Sequence, residues 1–148
     1  MTSAGTNVIE ILLVEDNPGD VLLTKHAFEK SSIENNISVA EDGEQALDYL
    51  HKRNGFEKVI TPDLVLLDLN MPKKDGRDVL SDAKQDENLR RIPIIMLTSS
   101  KAEQDIRDAY DLYANGYILK PTDLSKFSEI VSAIEAFWFS LAVLPPSP

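Results

Sequence analysis

Five side chains at the ends of apolar runs could together manage a phosphoryl group. Asp68 closes Leu64-Val65-Leu66-Leu67, and Leu69-Asn70-Met71-Pro72 follows, so a proline is expected to stop the strand just beyond the carboxylate. Glu15 and Asp16 close Ile11-Leu12-Leu13-Val14, Thr98 closes Ile94-Ile95-Met96-Leu97, and Lys120 closes Gly116-Tyr117-Ile118-Leu119 ahead of Pro121. If these ends meet, three acids, a hydroxyl and an ammonium share one crevice. Crowded carboxylates repel, and one takes a proton unless a cation compensates. A hard divalent ion such as Mg2+ suits oxygen donors, typically one or two carboxylates with waters and phosphate oxygens. On this reading Asp16 and Asp68 are direct ligands, the backbone carbonyl of Asn70 lies nearby and Glu15 acts through water. Asp68 also has the place of a nucleophile, since an aspartate can accept a phosphoryl group as an acyl phosphate. Phosphoryl transfer depends chiefly on positioning and charge neutralisation. Lys120 would pair with Asp68 or with the new phosphate, and Thr98 would donate to a phosphate oxygen. Taken singly, each group has a plainer reading: Glu15-Asp16 as a helix cap, Lys120 as a surface lysine, Thr98 as a β-branched residue finishing a strand.

The elements that must position these groups are legible as an alternation. Strand-like runs near 9–14, 37–40, 63–68, 93–98 and 116–119 alternate with amphipathic stretches near 19–31, 43–53, 76–84, 101–113 and 123–140. That pattern predicts an α/β fold, a parallel sheet with helices on both faces. The short, partly polar run Ile37-Ser38-Val39-Ala40 suits an edge strand. Asn17-Pro18-Gly19-Asp20 offers a cap, a proline at the first helical position and an acid in the first turn. Asp42 to Gln45 and Ser100 to Glu103 have capping-box spacing, and Thr122-Asp123 can cap the last helix. Short right-handed connections leave few arrangements of five βα units. The commonest is the flavodoxin-like, doubly wound (βα)5 order 2-1-3-4-5, whose switch point lies between the first and third strands. Those two strands carry Glu15-Asp16 and Asp68, so topology and chemistry point to one crevice.

The totals limit the alternatives. A chain of 148 residues suits one domain, expected over 1–148 with a core at about 9–138 and an extension over 139–148. Apolar residues are 43% and charged residues 27%, as in an ordinary soluble protein. No apolar run is long enough for a membrane helix, and the start lacks the parts of a signal peptide. Cysteine is absent, which excludes disulfide and thiol chemistry and is compatible with a cytoplasmic setting. The formal net charge of −10 argues against binding nucleic acid or an anionic membrane through a bulk basic field.

Leu12-Leu13-Val14-Glu15-Asp16-Asn17, Leu66-Leu67-Asp68-Leu69-Asn70-Met71-Pro72, Asp75-Gly76, Leu97-Thr98-Ser99 and Tyr117-Ile118-Leu119-Lys120-Pro121 resemble the motifs of the bacterial receiver domain, the response regulator half of two-component signalling. The resemblance runs from about Ile9 to Trp138. It implies Asp68 as phosphoacceptor, Glu15 and Asp16 as the acid pair, and Mg2+ as the essential ion, with Mn2+ as a substitute. It further implies Thr98 and Tyr117 as switch hydroxyl and switch aromatic. Lys120 matches the family's lysine, and Pro121 follows it, often through a cis bond in the family. Asn70 and Ser100 fall where family members tune dephosphorylation. More narrowly, Pro72-Lys73-Lys74-Asp75-Gly76-Arg77, Leu89-Arg90-Arg91-Ile92-Pro93, Phe137-Trp138 and Leu144-Pro145 resemble phytochrome-associated single-domain response regulators. The expected partner is then a sensor histidine kinase, here a phytochrome. Phosphorylation would turn Thr98 toward the phosphate, and Tyr117 would rotate inward into the space it leaves.

The chain ends soon after the receiver, so an output through a surface rather than an output domain is expected. Phe127, Ile130, Val131, Ile134, Phe137, Trp138 and Leu141 recur at helical spacing. One stripe covers the sheet. Either Trp138 and the tail fold back over their own core, or Phe137, Trp138, Leu141 and Leu144 pair two copies in a homodimer. His26 and His51 read as surface or packing residues. Competing functions fit less well. A haloacid-dehalogenase-like phosphatase needs an aspartate at position 70, which is Asn70. A flavin carrier needs a phosphate loop after the first strand, where none is present. A pseudo-receiver that binds partners without phosphorylation has no need of intact Glu15, Asp16, Asp68 and Lys120.

Overall fold

The computed structural model describes residues 8–71 and 73–146. Residues 1–7, Pro72 and residues 147–148 lie outside them, so the expected stop at Pro72 and the last two residues of the tail do too. Five parallel strands, β1 (Ile9–Val14), β2 (Asn35–Ala40), β3 (Leu64–Leu67), β4 (Ile94–Thr98) and β5 (Gly116–Leu119), form one sheet in the order β2-β1-β3-β4-β5. Helices α1 (Pro18–Glu29), α2 (Gly43–Leu50), α3 (Gly76–Gln85), α4 (Glu103–Asp111) and α5 (Leu124–Ile134) connect or follow them, and a π-helical segment, Glu135–Leu141, extends α5. This is the flavodoxin-like fold expected from the alternation.

The strands read as unbroken apolar runs because both faces are covered. Side chains alternate across the sheet. Leu12, Val14, Val65, Leu67, Ile94 and Met96 meet Ala46, Leu47, Val79, Leu80 and Ala83 of α2 and α3 on one face. Ile11, Leu13, Leu64, Leu66 and Ile95 meet Ala27 and Phe28 of α1 and Val131 and Ile134 of α5 on the other. Each fully buried Leu or Ile contributes about 1.5–3 kcal/mol, so the two layers fix the strand register and with it the positions of the strand ends. Among the described residues no helix is long and apolar enough to cross a membrane.

Three local expectations are corrected. β2 begins at Asn35, two residues earlier than its apolar run, because Asn35 and Asn36 pair with Ile9 and Glu10 of β1. The Asn35 side chain also donates to the Phe28 and Ile33 carbonyls. The Ser100 capping box does not form: α4 starts from Ala102 with no side-chain cap, because the Ser100 hydroxyl is engaged with Asp105. The last helix is not a uniform α-helix. Its end winds as a π-helix, with the Ala142 N–H donating to the Phe137 carbonyl at 2.7 Å. Wider winding shifts the phase of the apolar stripe. Trp138 still reaches the core beside Ile130, whereas Phe137 and Leu141 turn outward at 53% and 77% exposure. The tail passes beneath the sheet, where Pro145 and Pro146 line a cleft with Thr61, Pro62 and Pro93.

Candidate functional site

Parallel pairing places the chemistry-bearing residues side by side. Val14 pairs with Leu67, so Glu15 and Asp68 emerge from adjacent strands. The Asp68 N–H donates to the Val14 carbonyl at 3.1 Å, and the Glu15 N–H donates to Ala40 at 3.0 Å. Thr98 pairs with Leu119, and the Lys120 N–H donates to the Thr98 carbonyl at 2.9 Å. The backbones of both acids and of Lys120 are therefore held by the ladder itself.

Glycine brings α3 against the end of β3. A Cβ on Gly76 would stand 2.3 Å from the Asp68 carbonyl oxygen, closer than any real contact. The Gly76 N–H instead donates to Leu69 at 2.8 Å, and Asp75 caps α3 by accepting from Arg77. The first turn of α3 thus packs directly on Asp68-Leu69.

Lys120 reaches across the end of β4. Its Nζ lies 2.6 Å from Glu15 Oε1, 3.1 Å from Asp68 Oδ2 and 2.9 Å from Asp20 Oδ2. Glu15 and Asp68 are buried, at 2% and 6% exposure, and Asp16 is exposed. Burial pushes the Glu15 carboxyl above its ordinary range; the Lys120 bond pulls it back only in part, and the Asp68 charge pushes it further up. Burial alone would depress the Lys120 ammonium, but its bonds to Glu15 and Asp20 and the Asp68 charge hold it above the ordinary lysine value.

Glu15, Asp16 and Asp68 each offer a carboxylate oxygen within 4.8 Å of the others. One ammonium cannot neutralise the four carboxylates of Glu15, Asp16, Asp20 and Asp68. An all-oxygen, anionic donor set with one exposed member fits a hard divalent cation that keeps part of its water. Asn70 sits exposed on the loop two residues beyond Asp68.

Thr98 is fully buried, and its Oγ1 accepts from the Ser100 N–H at 3.4 Å. Tyr117 is half-buried, and its hydroxyl donates to the Ser100 carbonyl at 2.9 Å. Burial raises the Tyr117 phenol above its ordinary value. The Ser100 hydroxyl bonds Asp105 of α4, which also pairs with Arg77 of α3. No cis peptide occurs among the described residues, so Pro121 follows Lys120 through a trans bond.

The sequence profile of the response regulator receiver domain matches residues 11–132. The chain belongs to the response regulator receiver family. This receiver is 40% identical over 135 residues to response regulator Rcp1 of Synechocystis sp. (strain ATCC 27184 / PCC 6803 / Kazusa), covering 91% of this chain and 92% of that one. Its fold matches the phosphorylated cyanobacterial phytochrome response regulator RcpA with a TM-score of 0.91 and 44% identity, over 95% of this chain and all of that one. It matches the Mn2+-bound form of Rcp1 with a TM-score of 0.87 and 39% identity, over 93% and 99% of the two chains. The receiver is thus related to phytochrome response regulators.

Two features of the site escaped the sequence. Asp20 reads as an acid in the first turn of α1, and nothing in the sequence signals that its carboxylate meets Lys120, 100 residues away. Arg77 read as part of a subfamily motif, and nothing in the sequence signalled that it clasps Asp105 and Asp108.

Proposed function

We propose that this receiver accepts a phosphoryl group on Asp68 from the phosphohistidine of a sensor histidine kinase, with Mg2+ as the native ion and Mn2+ as a substitute. The observation that carries the reading is Lys120 Nζ bridging Asp68 and Glu15 inside the triad of carboxylates. A carboxylate oxygen of Asp68 attacks phosphorus, the bond from phosphorus to the imidazole nitrogen breaks, and the histidine leaves. Lys120 holds a phosphoryl oxygen as charge builds on it. Mg2+ bound to Asp16, Asp68 and the Asn70 carbonyl, with Glu15 behind water, would neutralise charge on the reacting oxygens. Thr98 then donates to the phosphoryl group and Tyr117 follows it inward, a local charge event that biases a two-state surface. Water hydrolyses the acyl phosphate and resets the state, at a rate to which Asn70 and Ser100 contribute.

The protein is a signalling switch that catalyses only its own phosphorylation and dephosphorylation, and its setting is the cytoplasm. Similarity to phytochrome response regulators supports a phytochrome as the kinase. The 148 residues act as one unit, and outward-facing Phe137 and Leu141 support a homodimer through the C-terminal extension, to which Trp138, packed inward, and half-buried Leu144 would contribute less.

Intact mass after incubation with acetyl phosphate and Mg2+ tests the central step. One phosphoryl adduct is expected, absent in Asp68→Asn and in EDTA. An adduct that persists in Asp68→Asn would overturn the assignment, as would no adduct from either acetyl phosphate or a kinase. Light scattering of the eluted protein tests the dimer, which a monomer mass at micromolar concentration would sink. Equal phosphotransfer rates from a phytochrome kinase and an unrelated kinase would remove the phytochrome link.

A further inference from the structure

We propose that Asp20 is a positioning residue that restrains phosphoryl transfer by competing with the phosphoryl group for Lys120. The proposal rests on reading Asp68 as the acceptor.

A lysine ammonium has three donors. All three face carboxylates here, those of Glu15, Asp20 and Asp68, and the Lys120 side chain is only 8% exposed. No donor is in reserve. A phosphoryl group brings three strongly accepting, anionic oxygens to Asp68. Their demand exceeds the single donor that Asp68 itself frees on forming the ester-like bond, so another partner must give way. Glu15 is poorly placed to yield. It is 2% exposed, and its second oxygen accepts from the Asn17 N–H at 3.1 Å. Released, it would be a buried, unpaired carboxylate, which is costly. The Asp20 side chain is 26% exposed, so water can take over its oxygens.

Asp20 also lies outside the triad that could hold the ion. Its charge therefore adds repulsion toward an incoming phosphoryl group without providing a ligand. Asp20 Oδ2 and Asp68 Oδ2 touch the same nitrogen, which places them within about 6 Å of each other. A unit charge at that distance, in an effective dielectric between about 40 and 80, changes a rate roughly 3–10-fold. The backbone role of Asp20 is separate. Its N–H donates to the Asn17 cap and its carbonyl accepts from Thr24, and neither bond needs the carboxylate.

The test compares wild type, Asp20→Asn and charge-conserving Asp20→Glu at saturating Mg2+. Phosphorylation by acetyl phosphate and decay of the isolated phosphoprotein are followed by intact mass. Asp20→Asn should be phosphorylated roughly 3–10-fold faster and decay more slowly, while Asp20→Glu stays within about twofold of wild type. In metal-free protein, the 15N resonance of the Lys120 ammonium should move in Asp20→Asn and return in Asp20→Glu. Unchanged or slower phosphorylation of Asp20→Asn overturns the proposal, since Asp20 is then a helix-terminal acid or an aid to Lys120. An unmoved ammonium resonance overturns it as well. A wild-type protein that takes no phosphoryl group overturns the reading of Asp68 and this proposal together.

Discussion

Replacing Lys120 by methionine removes the charge while keeping most of the stem. Three carboxylates then lose their common partner. Two of them, Glu15 and Asp68, sit at 2% and 8% side-chain exposure. Removing one member of a buried ion pair costs about 3–5 kcal/mol. Asp16 is exposed and Asp20 partly so, which lets water relieve part of the strain, so the lower end applies, about 3 kcal/mol at pH 7.5 in EDTA. For a chain of this length that corresponds to a fall in Tm of about 6–12 °C. The pH dependence has a definite sign. Lys120 is held above the ordinary lysine value, so it is charged in both the folded and unfolded states between pH 5 and 8. Any change in the gap over that window comes from the acids. Without the ammonium the Glu15 carboxyl, already raised by burial, loses the bond that pulled it back and rises further. A carboxyl raised in this way favours the folded state at low pH and penalises it as pH rises through the folded value. The gap between wild type and Lys120→Met therefore narrows as pH falls from 7.5 to 5. Mg2+ should narrow it too, because a site that has lost a cation binds a divalent ion more tightly, and a tenfold gain in affinity returns about 1.4 kcal/mol. Urea unfolding followed by circular dichroism, at two pH values and with or without Mg2+, reads all three effects. If Lys120→Met matches wild type in EDTA at pH 7.5, or its deficit is the same in all conditions, the carboxylates are not held together by this ammonium.

Gly76→Ala should cost about 1–3 kcal/mol and slow phosphorylation of Asp68, because the new Cβ forces α3 off the Asp68 carbonyl; a variant with unchanged stability and kinetics would show that the contact is not tight. Mg2+ affinity, measured by titration calorimetry, should weaken as pH falls from 7.5 to 5, since an acid with a raised pKa must lose its proton when the ion binds. Glu15→Gln should flatten that dependence, and an equally steep profile in the variant would assign it to another group. Arg77→Ala should cost about 1 kcal/mol or less, as partly exposed ion pairs do, yet speed amide hydrogen exchange in α4 more than in α2. Uniform exchange in the two helices would deny Arg77 its hold on α4.

The candidate crevice is legible in the sequence because strand ends in a parallel sheet obey few rules. Once the strands and the order 2-1-3-4-5 are read from the apolar runs, Glu15, Asp68 and Lys120 fall at one edge of the sheet, and the Lys120 side chain is long enough for its Nζ to contact both acids. What escaped depended on side-chain reach. Asp20 and Arg77 lie in first turns, where an acid or base has a sufficient local explanation, and only the reach of the Lys120 side chain to the start of α1 and the packing of α3 beside α4 give them distant partners. The π-helical end of α5 escaped for another reason. Residues 135–141 keep an α-like apolar rhythm, and the change of winding alters which of them face out without altering the pattern itself.

The surroundings of Ser100 explain how a small change at Asp68 can reach the surface. Its N–H reaches Thr98 Oγ1 at 3.4 Å, its carbonyl accepts from Tyr117 at 2.9 Å, and its hydroxyl engages Asp105. Asp105 in turn pairs with Arg77, and Arg77 follows Gly76, the residue packed on Asp68. A continuous path of contacts therefore joins Asp68 to Thr98 and Tyr117 by way of Asp105 of α4. The bond to Thr98 is long and so the easiest on the path to give up. The helix at its centre is also lightly held. Among its residues only Ala109 is fully buried, and it starts without a side-chain cap, whereas α2 buries five residues and is capped by Asp42. A helix with few buried contacts moves at low cost. Turning Thr98 toward a phosphoryl oxygen would withdraw one bond from Ser100, and α4, with one buried residue and no side-chain cap, offers little resistance to the adjustment that follows.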